Sequence, residues 1–327
     1  MEEVKTRTWR WGVKRWVVLG IAILGGILAS KYPPILPHIQ VAPEVISEKL
    51  FTLPVIGDFY LTNTLVATFL VYLILFVLAF IVKQSIAKGD LIPDGVAGAF
   101  EAIIEAMYNL TESTAGKYAK TIFPYFVTIV LVVILANWME LIPGVDSIGI
   151  LHHTDHGYPV QELFPGVSAI VKAEDGHAAA GNLFHVVPYV RVASTDLNFT
   201  AALALIAVFM TQVIGVRTQG IRYFSKFLNF TTMFKKPFLG VLDFVVGVLE
   251  LISEFSKIIS FTFRLFGNIF AGSVLLFIVG SMVPVFAQSA ILVFEFGIGL
   301  IQAFVFGMLT LVFMTQATQG HGDDSHG

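Results

Sequence analysis

Five stretches of this chain are apolar for about the length a helix needs to cross a membrane, and nothing else constrains the fold as strongly. They run at 60–82, 122–142, 197–216, 258–280 and 285–316. A hydrocarbon core about 30 Å thick asks for roughly 20 helical residues, and helix satisfies its own backbone polar groups where water is missing. Composition agrees: 56% of the 327 residues are hydrophobic and 13% charged, against about a quarter charged in a soluble domain. The 30 phenylalanines suit lipid-facing and interhelical packing. With no cysteine, disulfides, thiolate chemistry and Cys-based metal sites are excluded. The expected fold is an all-α polytopic membrane protein with five core transmembrane helices.

A shorter apolar run at 16–30 follows a basic start containing Lys5, Arg7, Arg10, Lys14 and Arg15. It reads as a cleavable signal peptide or as a retained signal-anchor helix, and the imperfect small-residue site at Leu28-Ala29-Ser30 favours retention. Six alternating crossings from a cytoplasmic N-terminus then place fifteen of the 20 Lys and Arg residues inside and four outside, the bias that positive-inside topology predicts. Both termini are expected in the cytoplasm and 143–196 outside. That acidic segment carries His152, His153, Asp155 and His156, which could ligate a metal; a solvated flexible loop is the reading adopted, with no metal site. The Gly320–Gly327 tail is polar and expected to be disordered. The expected organisation is a basic N-terminal segment and anchor at 1–44, a membrane domain at 45–317 and a cytoplasmic tail at 318–327. No chain-wide repeat supports an inverted-repeat transporter, and no Walker-type loop supports nucleotide chemistry.

The one basic residue left over is Arg264, isolated in an apolar run. A charge at mid-bilayer costs about 2.5–3.5 kcal/mol on insertion scales, and arginine cannot escape by losing its proton. Such a residue faces a cavity or a carboxylate. Spacings of three and four put Glu250, Glu254, Lys257, Phe261, Arg264 and Asn268 on one helical face, with Asp243 extending it. The last run has its own polar seam at sevens: Gln288, Glu295 and Gln302, then Gln316. Seven residues are nearly two turns. Folding the two runs antiparallel about Pro284 brings Gln302 opposite Leu265, beside Arg264, and Glu295 opposite Gly272, beside Ser273. At 1.5 Å per residue the last helix spans about 48 Å, so a long, strongly tilted hairpin is expected. From the residues alone, Arg264 fits an ion path, an anion site in a transporter or channel, or an internal pair with Glu295 that fixes packing.

The run Arg264-Leu265-Phe266-Gly267-Asn268-Ile269-Phe270-Ala271-Gly272, followed by Gln302-Ala303-Phe304-Val305-Phe306, resembles subunit a of F-type ATP synthases. Asn137 through Glu140 with Leu141-Ile142-Pro143 resembles that family's second-span motif. Asp196-Leu197-Asn198 with Thr200 resembles the start of its next span, and Glu250 also falls on a family position. The resemblance covers about 45–317. It implies a non-catalytic stator subunit in a bacterial plasma membrane, beside a ring of c subunits and with b-type peripheral stalk and other ATP synthase subunits as partners. Protons are taken as the ion ahead of sodium, and neither a cofactor nor a nucleic acid is implied. Arg264 would promote deprotonation of the ring carboxyls and block leakage between two offset half-channels. Asn137, Glu140, Asn268, Glu295 and Gln302 would line the exterior half-channel, and Glu250 the cytoplasmic one. Ser273, Asp196, Asn198 and Glu254 are possible accessories. Many members carry a carboxylate nine residues after the arginine, where this chain has Ser273, and a histidine where it has Glu295. The pairing puts those two positions at similar depth, so Glu295 is expected to replace the missing acid.

Overall fold

The computed structural model describes residues 14–31, 40–54, 57–87, 95–171, 183–227, 237–282 and 286–319. The basic residues before Lys14, the Gly320–Gly327 tail, Lys88, Lys172, Lys235, Lys236 and the turn at Pro284 lie outside the described residues, as do the side chains of Asp155, His156 and Asp243. Helices α1 to α7 are Lys14–Lys31, Asn63–Ala87, Val96–Ala115, Ala119–Trp138, Leu197–Gln219, Pro237–Met282 and Phe286–Thr318. Five stretches are long and apolar enough to span a membrane: Asn63–Ser85, Gly98–Leu141, Leu197–Gln219, Phe244–Ser281 and Ala287–Thr318. The protein is thus mostly helical and multi-pass, as the apolar runs predict. Helix α2 keeps Phe69, Tyr72, Leu73 and Phe76 exposed, a face suited to lipid and unsuited to water.

Three elements differ from expectation. Val96–Ala115, in the stretch read only as a cytoplasmic connection, is helix α3. Met107, Thr111 and Ala115 are buried at four-residue spacing, so its signal is one apolar stripe rather than a continuous run. The 143–196 segment is not a plain loop either. After the short strands β1 (Phe51–Leu53) and β2 (Gly57–Phe59), it holds strands β3 to β7 at Pro143–Asp146, Gly149–Tyr158, Val160–Phe164, Val167–Ile170 and Phe184–Pro188. Val145, Ile150, Val160, Val167, Ile170, Val186 and Val187 are β-branched residues that suit such short pairings. Helix α6 also starts early. Its 46 residues span about 69 Å, because the polar positions that interrupt its apolar run do not interrupt its helical geometry.

The chain divides into two compact units. One comprises Met1–Ile39, Leu151–Val186 and Gly272–Glu295, and the other Gln40–Ile150, Val187–Ala271 and Phe296–Gly327. In the first, β5 and β6 form an antiparallel hairpin with Val160 opposite Ile170. The end of α6 there packs on the start of α7: a Cβ added at Gly272 would collide with the Glu295 carboxylate, and one at Gly280 would lie 3.3 Å from Gln288 Cδ. Gly272 therefore faces Glu295, the pairing that folding about Pro284 predicts.

The second unit holds the main core. Ile129 and Val133 of α4, Ala204, Ala207 and Val208 of α5, Phe261, Leu265 and Ile269 of α6, and Ala303 and Phe306 of α7 share one buried cluster. A neighbouring cluster joins Met107 of α3 to Ile122 and Phe126 of α4, Ile214 of α5 and Met314 of α7. Close approach of α4 and α7 requires Gly307, where a Cβ would collide with Val130 Cγ2. Asp196 caps α5 by accepting from the Asn198 backbone N–H at 2.8 Å, a usual way of satisfying a free helix N-terminus.

Candidate functional site

Arg264 is positioned by its own helix. Phe261, Leu265 and Ile269 recur at four-residue spacing on the buried stripe of α6, while Phe255, Ile259 and Phe263 are each more than half exposed. Arg264 falls on the border between the two and is half-buried. Its Nη2 donates to Ser260 Oγ at 3.3 Å, one turn back. Among the described residues no carboxylate forms an ion pair with it. A guanidinium carries five donors and cannot neutralise itself, so in an apolar helix this one is left able to receive an acid from outside the chain.

The polar seams of α6 and α7 meet. Asn268 Nδ2 donates to Gln302 Oε1 at 2.7 Å, one turn along from the Arg264 neighbour that pairing about Pro284 suggests. Gln302 is buried, and its Nε2 has no hydrogen-bond partner. Asn137 Nδ2 donates to the Gly299 carbonyl at 3.1 Å, leaving a buried Oδ1 unpartnered. Next to it, Trp138 stacks on Phe296 with centroids 4.6 Å apart. Glu140 follows on the 3-10 turn Met139–Leu141. In the other unit Glu295 and Ser273 are both buried. Neither Glu295 oxygen has a hydrogen-bond partner, an arrangement that buried polar groups rarely show in a purely structural setting.

The acidic stripe of α6 separates into distinct parts. Glu254 is buried, accepting from Lys257 Nζ at 2.8 Å and Gln212 Nε2 at 2.9 Å. Tyr223 Oη donates to Gln212 Oε1 at 2.7 Å, and its ring lies against Gly215, where any Cβ would collide with it. Lys257 Nζ sits 4.6 Å from the Phe313 ring centroid, a favourable cation–π distance. Glu254 is thereby tied into the packing of α5, α6 and α7, whereas Glu250 is half-buried. Asp196 is likewise tied: besides its cap, its Oδ2 accepts from Thr64 Oγ1 at 2.8 Å. Asn198 contributes its backbone to that cap while its side chain is exposed.

Sequence reading missed Gln212, Tyr223, Thr64 and Asn63, whose partners lie far along the chain and leave no local signal. It also passed over Asp146 and Arg191. Burial pushes the Asp146 carboxyl up to about 6, with the Arg191 charge and the Val192 N–H pulling down and Glu44 pushing up. In the histidine segment, the rings of His152 and His185 lie 6.0 Å apart, and His153 meets Phe184 edge-on. Among the described residues no three metal-ligating side chains cluster.

A family profile described as ATP synthase A chain matches residues 65–315. The chain is 29% identical over 263 residues to a protein of Mycobacterium bovis named ATP synthase subunit a, covering 79% of this chain and 87% of that one. It is 28% identical over 272 residues to a protein of the same name from Helicobacter pylori strain P12, covering 81% and 97%.

The Glu254–Lys257 pair makes a direct test of the packing at this site. Lys257→Met should strand a buried carboxylate and destabilise the detergent-solubilised protein by about 3 kcal/mol. Adding Glu254→Gln should recover most of that loss, because it removes the unpaired charge. Thermal unfolding of the single and double variants gives the comparison, and an additive double variant would mean the two side chains are not coupled.

Proposed function

The chain belongs to the ATP synthase A chain family, and from that membership we propose that it is the ion-conducting stator subunit of a rotary ATP synthase, working beside a ring of c subunits. It is a non-catalytic, multi-pass membrane subunit of a larger complex. The observation that carries the finer reading is Arg264: a half-buried guanidinium in a spanning helix, at the border of an exposed apolar face, with no carboxylate of the described chain paired to it. A ring that presents one carboxyl at a time to that face supplies the missing acid. The fixed positive charge favours the ionised carboxyl, so each ring site gives up its proton before passing. Because arginine holds its own proton, it also bars direct flow between the two half-channels. The membrane potential, about 2.3 kcal/mol per charge per 100 mV, biases the direction of rotation.

By the family correspondence, Asn137, Glu140, Asn268, Glu295 and Gln302 serve the half-channel open to the exterior, with Ser273 beside Glu295, and Glu250 serves the cytoplasmic one. Within the larger unit, the Asn268–Gln302 bond and the unpartnered polar atoms of Asn137 and Gln302 support polar continuity in a region otherwise apolar. Glu254 and Asp196, already fully engaged, act through packing. The chain sits in a bacterial plasma membrane with both termini cytoplasmic, and b-type stalk subunits hold it against the torque of the ring.

Three outcomes test this reading. Arg264→Ala should leave an assembled complex whose proton-driven ATP synthesis falls to background, and Arg264→Lys should not restore it. Near-normal synthesis by Arg264→Ala in reconstituted vesicles overturns the mechanism. Glu295→Gln should slow proton pumping strongly with assembly intact, and Glu295→Ser combined with Ser273→Glu should restore part of the flow; normal pumping by Glu295→Gln would take that carboxyl off the path. For topology, Ser168→Cys introduces a single thiol into a chain that has none. A membrane-impermeant maleimide should label it from the exterior of intact cells, and labelling only from the cytoplasmic side reverses the orientation.

A further inference from the structure

Asp146 combines features that neither the fold nor the proposed arginine mechanism uses. It ends β3, just beyond the 3-10 turn that carries Glu140 and the helix end that carries Asn137. Its φ is 60°, the only left-handed non-glycine among the described residues, a conformation that aspartate and asparagine tolerate better than most side chains. The backbone is held there: Asp146 N–H donates to Val190 O at 3.0 Å, and Tyr189 N–H to Ile148 O at 3.0 Å. Its neighbour Val145 packs against the main core, to which the fully buried Val192 belongs. The carboxyl is therefore carried inward, and its Oδ1 is buried without a hydrogen-bond partner.

Two charges act on it. Arg191 is anchored through its own guanidinium to the Ala42 carbonyl at 2.9 Å and to the Gln40 carbonyl, so it stands as a fixed countercharge rather than a pairing partner. Glu44 is held by Asn63, whose Nδ2 donates to Glu44 Oε2 at 3.3 Å. A structural acid at such a place would pair with the arginine or cap a turn, as Asp196 does nearby. Asp146 accepts the Val192 N–H but keeps its buried Oδ1 without a partner. Held strain and an unpartnered polar atom together point to function rather than packing.

We propose that Asp146 is a proton-binding group at the mouth of the half-channel that begins at Asn137 and Glu140, taking protons from the adjoining medium and passing them inward. The step is a plain transfer: the carboxylate accepts a proton from water or hydronium and returns to its charged form when that proton moves on. Burial places its titration near 6, with Arg191 lowering it and Glu44 raising it, so the group is mostly charged at neutral pH yet loads readily as the mouth-side medium acidifies. The proposal rests on the proton-conducting reading above.

The test uses the whole ATP synthase in vesicles, with the membrane potential clamped and the mouth-side pH varied while ATP synthesis is measured. The native complex should show an inflection near 6. Asp146→Asn, which keeps the left-handed backbone, should lose it. Glu44→Gln keeps a hydrogen-bonding oxygen for Asn63 but removes the charge that raises the titration, and should move the inflection to lower pH. Difference infrared spectra between acid and neutral pH should show a carboxyl band that Asp146→Asn removes. An unchanged inflection in Asp146→Asn or an unmoved one in Glu44→Gln overturns the assignment. Arg264→Ala, run in parallel, separates the two ideas: synthesis surviving that change defeats the stator reading, whereas its loss alongside an unaltered Asp146→Asn profile defeats only the mouth residue.

Discussion

Keeping one guanidinium charged within an apolar helix, with no acid paired to it among the described residues, is the constraint around which the rest of this fold is arranged. Desolvating such a charge is expensive and arginine has no neutral form to retreat to. The chain meets this by placing Arg264 at the boundary of a tightly filled stripe. Phe261, Leu265 and Ile269 fill the inner side, and an exposed apolar band borders the other. An internal carboxylate would have quenched the charge. The acids on the same helix are placed otherwise: Glu254 is engaged by Lys257 and Gln212.

Placement of this kind requires a rigid helix, and the packing explains the rigidity. Small residues let helices approach where polar groups must meet. Gly307 admits Val130, Gly215 admits the Tyr223 ring, and Gly272 admits the Glu295 carboxylate. At one end of the larger unit Asn137, Asp196 and Thr64 tie α2, α4, α5 and α7 together. At the other, Tyr223, Gln212, Glu254 and Lys257 tie α5, α6 and α7. Arg264 lies between two bonds that hold its helix, Gln212 to Glu254 on one side and Asn268 to Gln302 on the other, which fixes the place of its charge.

Much of this was legible in one dimension and some was not. The apolar runs marked the spanning helices because crossing hydrocarbon demands length and composition that no local context disguises. The sevenfold seam of Glu295 and Gln302 and the spacing around Arg264 were visible because helical periodicity converts sequence distance into a shared face. Helix α3 was passed over because its buried stripe is interrupted by polar residues. The strands within 143–196 were passed over because short pairings depend on partners such as Phe184–Pro188, far along the chain.

The sequence by itself therefore determined the membrane class, the isolated arginine, the two facing seams and the family. Tertiary structure alone decided which acids are engaged and which are open. Glu254 and Asp196 stood out in sequence and Asp146 did not, yet the first two are enclosed by donors and the last keeps an unpartnered oxygen beside an anchored Arg191. The reason is physical: a carboxyl's behaviour is set by burial and by the donors and charges within a few ångströms. Those neighbours are supplied by segments distant in the chain, which only folding brings together.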